Sequence, residues 1–310
     1  MTNCGFLIIN KPPGYSSHQV VAQARRILRE RRIGHTGTLD PMATGVLVLA
    51  IGKATKLIAY LDEAKKLYRA RLVLGLSTDT QDLTGREIFT QPEMKVSRER
   101  LAAALDFFTG EQEQTPPMYS AVKVNGEPLY KLARAGQEIN RAKRKITIYR
   151  LEADEPLLPF YGFKEGPVLL IECSRGTYIR TLCHDLGAHL GVGGCMGDLV
   201  RLASGPFRLA EALSLDELAQ IVEAGTLNAH MISPAAALSH LPMVHLNEAS
   251  AELVRHGGRL FPQDLAEMPS PEACRAQGLV RAINVDGSLL AILKYHQGST
   301  AFWQPVRVLV

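Results

Sequence analysis

The sequence predicts a mixed α/β (α+β) protein, a larger body of interleaved strands and helices followed by a small C-terminal β unit. Three observations carry this. Strand-like and helix-like runs alternate without the regular βαβ recurrence of a doubly wound parallel sheet. At 310 residues and 46% hydrophobic content the chain is long enough for about two cores. After Pro242 the texture changes to short runs around an Asp286-Gly287 hairpin signal. We place the domains at 1–240 and 241–310.

Along the chain, Gly5 to Ile9 reads as a strand and Pro12, Pro13 and Gly14 as a turn. Ser16 and Gln19 have capping-box spacing, and Val20, Val21, Ala24, Ile27 and Leu28 then share one helical face. Asp40 followed by Pro41 has the form of a helix N-cap and first-turn pair. Val46 to Ile51 is a continuous apolar run suited to a buried strand, and Lys53 to Leu61 reads as helical. From Leu67 the pattern alternates, with Tyr68, Ala70, Leu72 and Leu74 on one face, so Tyr68 is expected to point inward. Further strands are expected at Ala121 to Val124, Ile146 to Leu151 and Val168 to Cys173, with helices near Arg98 to Phe108, Pro128 to Ala135 and Tyr178 to Leu190. Ser214 and Glu217 repeat the capping box before a helix to about Glu223. Beyond Pro242 come a helix from Ser250 to His256, ended by Gly257, and strands at Leu279 to Val285, Leu289 to Lys294 and Val306 to Val310.

Composition narrows the function classes. No run approaches the roughly 18 apolar residues of a membrane span, and the N-terminus lacks a signal-peptide pattern, so a soluble, cytoplasmic protein is expected. The cysteines at 4, 173, 183, 195 and 274 form no CxxC pair, which suits reduced thiols. His184 and His189 are five positions apart and would face different sides of a helix, so no metal site is expected. The net charge of +4 is mild, but basic residues cluster at Arg25 to Arg32, at Lys53, Lys56, Lys65, Lys66, Arg69 and Arg71, and at Arg141 to Lys145. Any one cluster can be a solvated face; together around one site they read as phosphate contacts.

The stretch GHTGTLDPMATG, Gly34 to Gly45, sets one carboxylate, Asp40, among glycines. On its own this is a turn or cap as readily as a catalytic group. The run NKPPGYSS at Asn10 to Ser17, the Asp40 stretch, the strand opening at Tyr68, and SRGTYIRTL at Ser174 to Leu182 follow one another in this order. Together they resemble the TruB family of tRNA pseudouridine synthases, densely from Gly5 to Phe207 and more loosely to the C-terminus.

The resemblance implies a catalytic domain with a central mixed, largely antiparallel sheet flanked by helices, and a C-terminal PUA-like module. It implies a cofactor-free isomerase that converts uridine to pseudouridine at position 55 in the T loop of tRNA, with Asp40, Tyr68 and Arg180 as catalytic residues. It places His35, Asp82, Tyr178 and Leu199 as substrate-binding residues, Lys11 and Pro12 as support beneath the site, and Met118 to Arg144 as a mobile insertion that clasps the RNA. Val200, Ala203 and His184 depart from common family residues, which bears on RNA contacts. The expected partner is the T arm and elbow of tRNA, with no metal and a monomer by default. An RNA chaperone for the tRNA elbow and a guide-RNA-dependent subunit remain alternatives, and an aspartate-nucleophile hydrolase lacks a companion acid.

Overall fold

The computed structural model describes residues 4–61, 65–124, 126–265, 278–297 and 301–309; Asn125, Cys274 and Val310 lie outside them. The body is built on a nine-stranded sheet. Its main path runs Gly5–Lys11, Thr44–Ile51, Gly194–Ser204, Lys66–Leu74, Val168–Cys173, Arg144–Ala153 and Gly110–Gln114. The neighbours on this path pair antiparallel except Gly194–Ser204 with Thr44–Ile51, where Val200 faces Thr44 and Arg201 faces Gly45 in parallel. The sheet is therefore mixed and largely antiparallel, with helices packed on it.

Local chemistry explains the best-defined helices. Ser16 and Gln19 exchange the reciprocal bonds of a capping box, at 2.8 and 3.2 Å, and the helix Ser17–Leu28 closes on Arg29 in the left-handed conformation. Val20, Val21 and Ala24 are its buried stripe, against Leu7, Ile9, Leu47 and Leu49 of the sheet. Ser214 and Glu217 make the same box ahead of Leu215–Glu223. Burial on both faces explains why Val46 to Ile51, within the strand Thr44–Ile51, is an unbroken apolar run.

Asp40 is not a helix cap. The Ala43 N–H donates to the Asp40 carbonyl at 3.1 Å, closing a turn with Pro41 and Met42 at its centre, and the chain then enters the strand at Thr44. Pro41 supplies the fixed φ that a turn needs at that position just as well as a first helical turn would, and the apolar run behind it decides for strand. Gly45 makes this entry possible. Its φ is +96°, and a Cβ there would lie 2.3 Å from the Arg201 carbonyl oxygen. Gly45→Ala is expected to destabilise the fold by about 3 kcal/mol or more, since it adds a backbone clash to a strained φ; the urea midpoint checks it, and an unchanged midpoint would refute the close approach.

Beyond the body, Met243–His245, Leu279–Ile283, Leu289–His296 and Phe302–Val308 form a four-stranded sheet with Glu248–Arg255 against it. Trp303, Val244, Val254, Val280 and Leu293 fill its core, while Ile283, Leu289 and Ile292 belong to a cluster shared with Phe6, Val46 and Phe207 of the body. Among the described residues no helix is long and apolar enough to cross a membrane.

Candidate active site

The Asp40 turn is suspended from three groups. Lys11, with no exposed surface, donates from Nζ to the carbonyls of Pro12, Tyr15 and Pro41 at 2.9, 2.6 and 3.0 Å. Ser17 Oγ accepts the Leu39 N–H at 2.9 Å. Arg201, 1% exposed, donates to the carbonyls of Val46 (2.7 Å), Gly37 (3.1 Å) and Thr38 (3.5 Å). Side-chain donors and one side-chain acceptor thus replace the ladder that an irregular buried backbone lacks.

Arg180 meets the turn from the helix Ile179–His189. Its Nε and Nη2 donate to the two carboxylate oxygens of Asp40 at 2.8 and 3.2 Å, a forked pair. Nη1 donates to the Thr80 carbonyl and Nη2 also to the Tyr119 carbonyl, at 2.9 and 2.8 Å, so the start of the segment 118–144 hangs on the same guanidinium. Asp82 lies 3.8 Å from Arg180 Nε and is held by Thr84 N–H and by the hydroxyls of Thr80 and Thr84. The side chains of Arg180 and Asp82 are 5% and 7% exposed, whereas Asp40 keeps 34%. The carboxylate is therefore oriented from beneath and open to an incoming molecule above.

Tyr68 points inward and shares an apolar cluster with Leu39, Ala43, Ile179 and Leu199. Burial pushes its phenol above the ordinary value, opposed by the neighbouring Arg201 guanidinium, so the hydroxyl is neutral at pH 7. Tyr178 caps the Arg180 helix through its backbone: Gln114 Oε1 accepts the Tyr178 N–H at 2.8 Å and Gln114 Nε2 donates to the Tyr178 carbonyl at 3.0 Å. His35 belongs to the adjoining strand Ile33–His35, its ring edge-on to His18 at 5.3 Å. Burial, then His18 and Arg201, hold it below the ordinary histidine range, which keeps it neutral at pH 7. The structure thus gathers Asp40, Arg180 and Asp82 into one ion cluster, Tyr68 and Leu199 into the apolar wall, and His35 onto a neighbouring ledge.

Sequence reasoning missed Arg201 and Gln114. An arginine on the apolar face of an alternating run, between Leu199 and Ala203, is the signal that could have found the first. Gln114 ends a polar edge strand and gives no such signal. The basic clusters are also less free than the sequence suggests: Arg69 pairs with Asp154 at 2.6 Å, Arg71 with Asp198 at 3.3 Å, and Arg141 with Glu138 at 3.2 Å. Cys4, Cys173, Cys183 and Cys195 are free thiols, and burial pushes Cys173 up to about 12. Among the described residues no group of metal-ligating side chains occurs.

Burial lowers the Lys11 ammonium from 10.5 to about 8, partly offset by Asp40 and reinforced by Arg201. A neutral amine has two N–H groups for three carbonyls. Activity is therefore expected to decline as pH rises through about 8. The contribution of this group to stability runs the other way. Its folded value lies below the unfolded one, so between about 8 and 10.5 the unfolded chain binds more protons and stability gains with pH. Rates and urea midpoints over one pH series check both, and a rate unchanged above that value would overturn the first.

The TruB family pseudouridylate synthase (N terminal domain) matches residues 25–179, and the tRNA pseudouridylate synthase B C-terminal domain matches residues 180–238. A tRNA pseudouridine synthase B of Geobacter sulfurreducens is 48% identical, covering 82% of this chain and 81% of its own length. Another, of Heliobacterium mobile, is 44% identical over 98% of this chain and 92% of its own. Among solved structures, a chain of a Cbf5–Nop10–Gar1 complex superimposes with a TM-score of 0.74 at 27% identity, covering 99% of this chain and 85% of that one.

Proposed function

The chain belongs to the TruB family of pseudouridylate synthases, and on that premise we propose that it isomerises uridine 55 in the T loop of tRNA, with Asp40 as the essential carboxylate. The observation that carries the reading is the forked Arg180–Asp40 pair at the edge of an apolar wall. The relatives named as tRNA pseudouridine synthase B supply the substrate class.

Isomerisation breaks the N1–C1′ bond, turns the detached uracil and joins its C5 to C1′. The C5 proton leaves to solvent and N1 takes one up, so atoms and electrons balance with no redox change and the chemistry requires no cofactor. An ionised carboxylate serves it either by adding to the sugar or base or by taking a proton from C2′. Arg180 aims Asp40, because its fork offers a donor to each oxygen while one face of the carboxylate stays open. The Tyr68 ring gives a stacking surface for an extruded base, and Leu39, Ile179 and Leu199 keep water from the detached uracil. Tyr178 and Asp82 border this pocket, and His35, neutral and beside His18, meets the loop from which the base is drawn. We assign the segment 118–144 as the RNA clasp, 1–240 as the catalytic domain and 241–310 as a PUA-like RNA-binding unit, with the protein acting alone.

The test is tritium release from C5-labelled uridine in an unmodified tRNA transcript, with purified protein. Release is expected from the natural transcript and not from one whose T-loop uridine is replaced. Tight tRNA binding without release would favour a chaperone, or a subunit needing partners.

A further inference from the structure

We propose that Arg201 is a positioning residue for the isomerisation: one buried guanidinium fixes the backbone ahead of Asp40 and the ring of Tyr68 in a single relative geometry. This rests on the catalytic reading of Asp40 and Tyr68 above.

The placement is unusual for an arginine. Arg201 lies on the central strand Gly194–Ser204, is 1% exposed, and has no carboxylate partner among its hydrogen bonds, which go to three carbonyls. Burying a guanidinium is unfavourable, and an apolar residue of like volume would serve a sheet interior better. What the arginine adds is reach in two directions. Forward, its fork ties Gly37 and Thr38, three and two positions short of Asp40, to Val46 on the strand leaving the turn. Sideways, Arg201 is the register partner of Tyr68, and its guanidinium stands beside the phenol. The parallel pairing of this strand with Thr44–Ile51 lasts only Val200 with Thr44 and Arg201 with Gly45. Where that ladder stops, the guanidinium takes over as the link to the Asp40 loop.

The charge has a second consequence. Arg201 acts on three other members of the site, drawing down the Lys11 ammonium, the His35 imidazolium and the Tyr68 phenol. It is thus a source of field, each time smaller than the effect of burial, for groups set around the Asp40 turn, as well as a mechanical tie.

The experiment compares wild type, Arg201→Lys and Arg201→Gln as full chains, with folding followed by circular dichroism and thermal melting, and kcat and KM measured on the tRNA transcript below the melting range. Displacement of reacting groups is expected to lower kcat by about tenfold or more in Arg201→Gln, with KM within about twofold. Arg201→Lys, which keeps the charge and loses the fork, is expected to recover part of kcat. A folded Arg201→Gln with wild-type kcat overturns the inference, as does failure of both variants to fold, which makes the arginine a purely structural element. Should only Arg201→Gln fail to fold, Arg201→Lys decides by its kcat: a value below wild type with KM kept supports the role, and a wild-type value overturns it. An inactive wild type overturns the proposed function and this inference with it; an active wild type with unaltered variants overturns the role of Arg201 alone.

Discussion

Asp40→Asn is expected to cut pseudouridine formation by about 10⁴-fold or more while leaving tRNA affinity within about twofold. The substitution keeps the shape of the side chain and removes the charge that can attack or accept a proton. Most of the surface that would touch RNA is elsewhere, so binding should persist. The Arg180 fork now faces one carbonyl oxygen and one NH2 group, so one of its two bonds to Asp40 is lost and the local geometry relaxes. Tritium release and filter binding on the same preparation separate the two quantities. Retained release would remove Asp40 from the mechanism, and joint loss of release and binding would show that the residue chiefly shapes the surface.

Arg180→Met should have the larger effect on stability, about 2–4 kcal/mol, because it strands a buried carboxylate rather than merely deleting a contact. Asp82 is 7% exposed and loses its nearest cation, while Asp40, at 34%, recovers part of its solvation from water, which holds the figure below that of a wholly buried pair. The carbonyls of Thr80 and Tyr119 lose their donor as well. Activity should vanish with orientation. Adding Asp82→Asn to Arg180→Met is expected to restore part of the stability and none of the activity, since it removes a stranded charge without replacing the fork. Urea midpoints of the single and double variants decide this, and a double variant no more stable than the single would show that the buried charge is not the source of the loss.

The parts of the fold that sequence reasoning could read are those governed by near neighbours. The capping boxes at Ser16 and Ser214 and the alternation around Tyr68 each depend on a few adjacent residues, and each appears where it was expected. The strand Gly194–Ser204 was not legible. Its glycines and Arg201 look unlike a strand interior, and only the neighbours that close over it make it one. The polar edge strand Gly110–Gln114 was missed for the opposite reason, since half-exposed GEQEQ carries no apolar alternation. Asp-Pro has the same local meaning at a turn and at a helix start, so the sequence leaves Asp40 as cap or turn, and the structure takes the turn. The candidate site divides in the same way. Asp40 and Arg180 stand 140 positions apart, so no local pattern joins them, and it was the ordered motifs resembling the TruB family that set them side by side. Arg201 and Gln114 hydrogen-bond to backbone rather than to a carboxylate, so no pairing of charges in the sequence points to them.

The late position of the strand Gly194–Ser204 also sets when the enzyme can come into being. It lies between Thr44–Ile51 and Lys66–Leu74, which are synthesised well over a hundred residues earlier, so those two strands wait with facing edges unfilled until the middle of the sheet emerges from the ribosome. A body closed by so late a strand is assembled by long-range pairing, which is slow, and its open edges are the places where a nascent chain can pair wrongly. The loop that carries Asp40 gains its tie to Arg201 only in that same closing stage, so a partly made chain holds this carboxylate on a backbone not yet fixed.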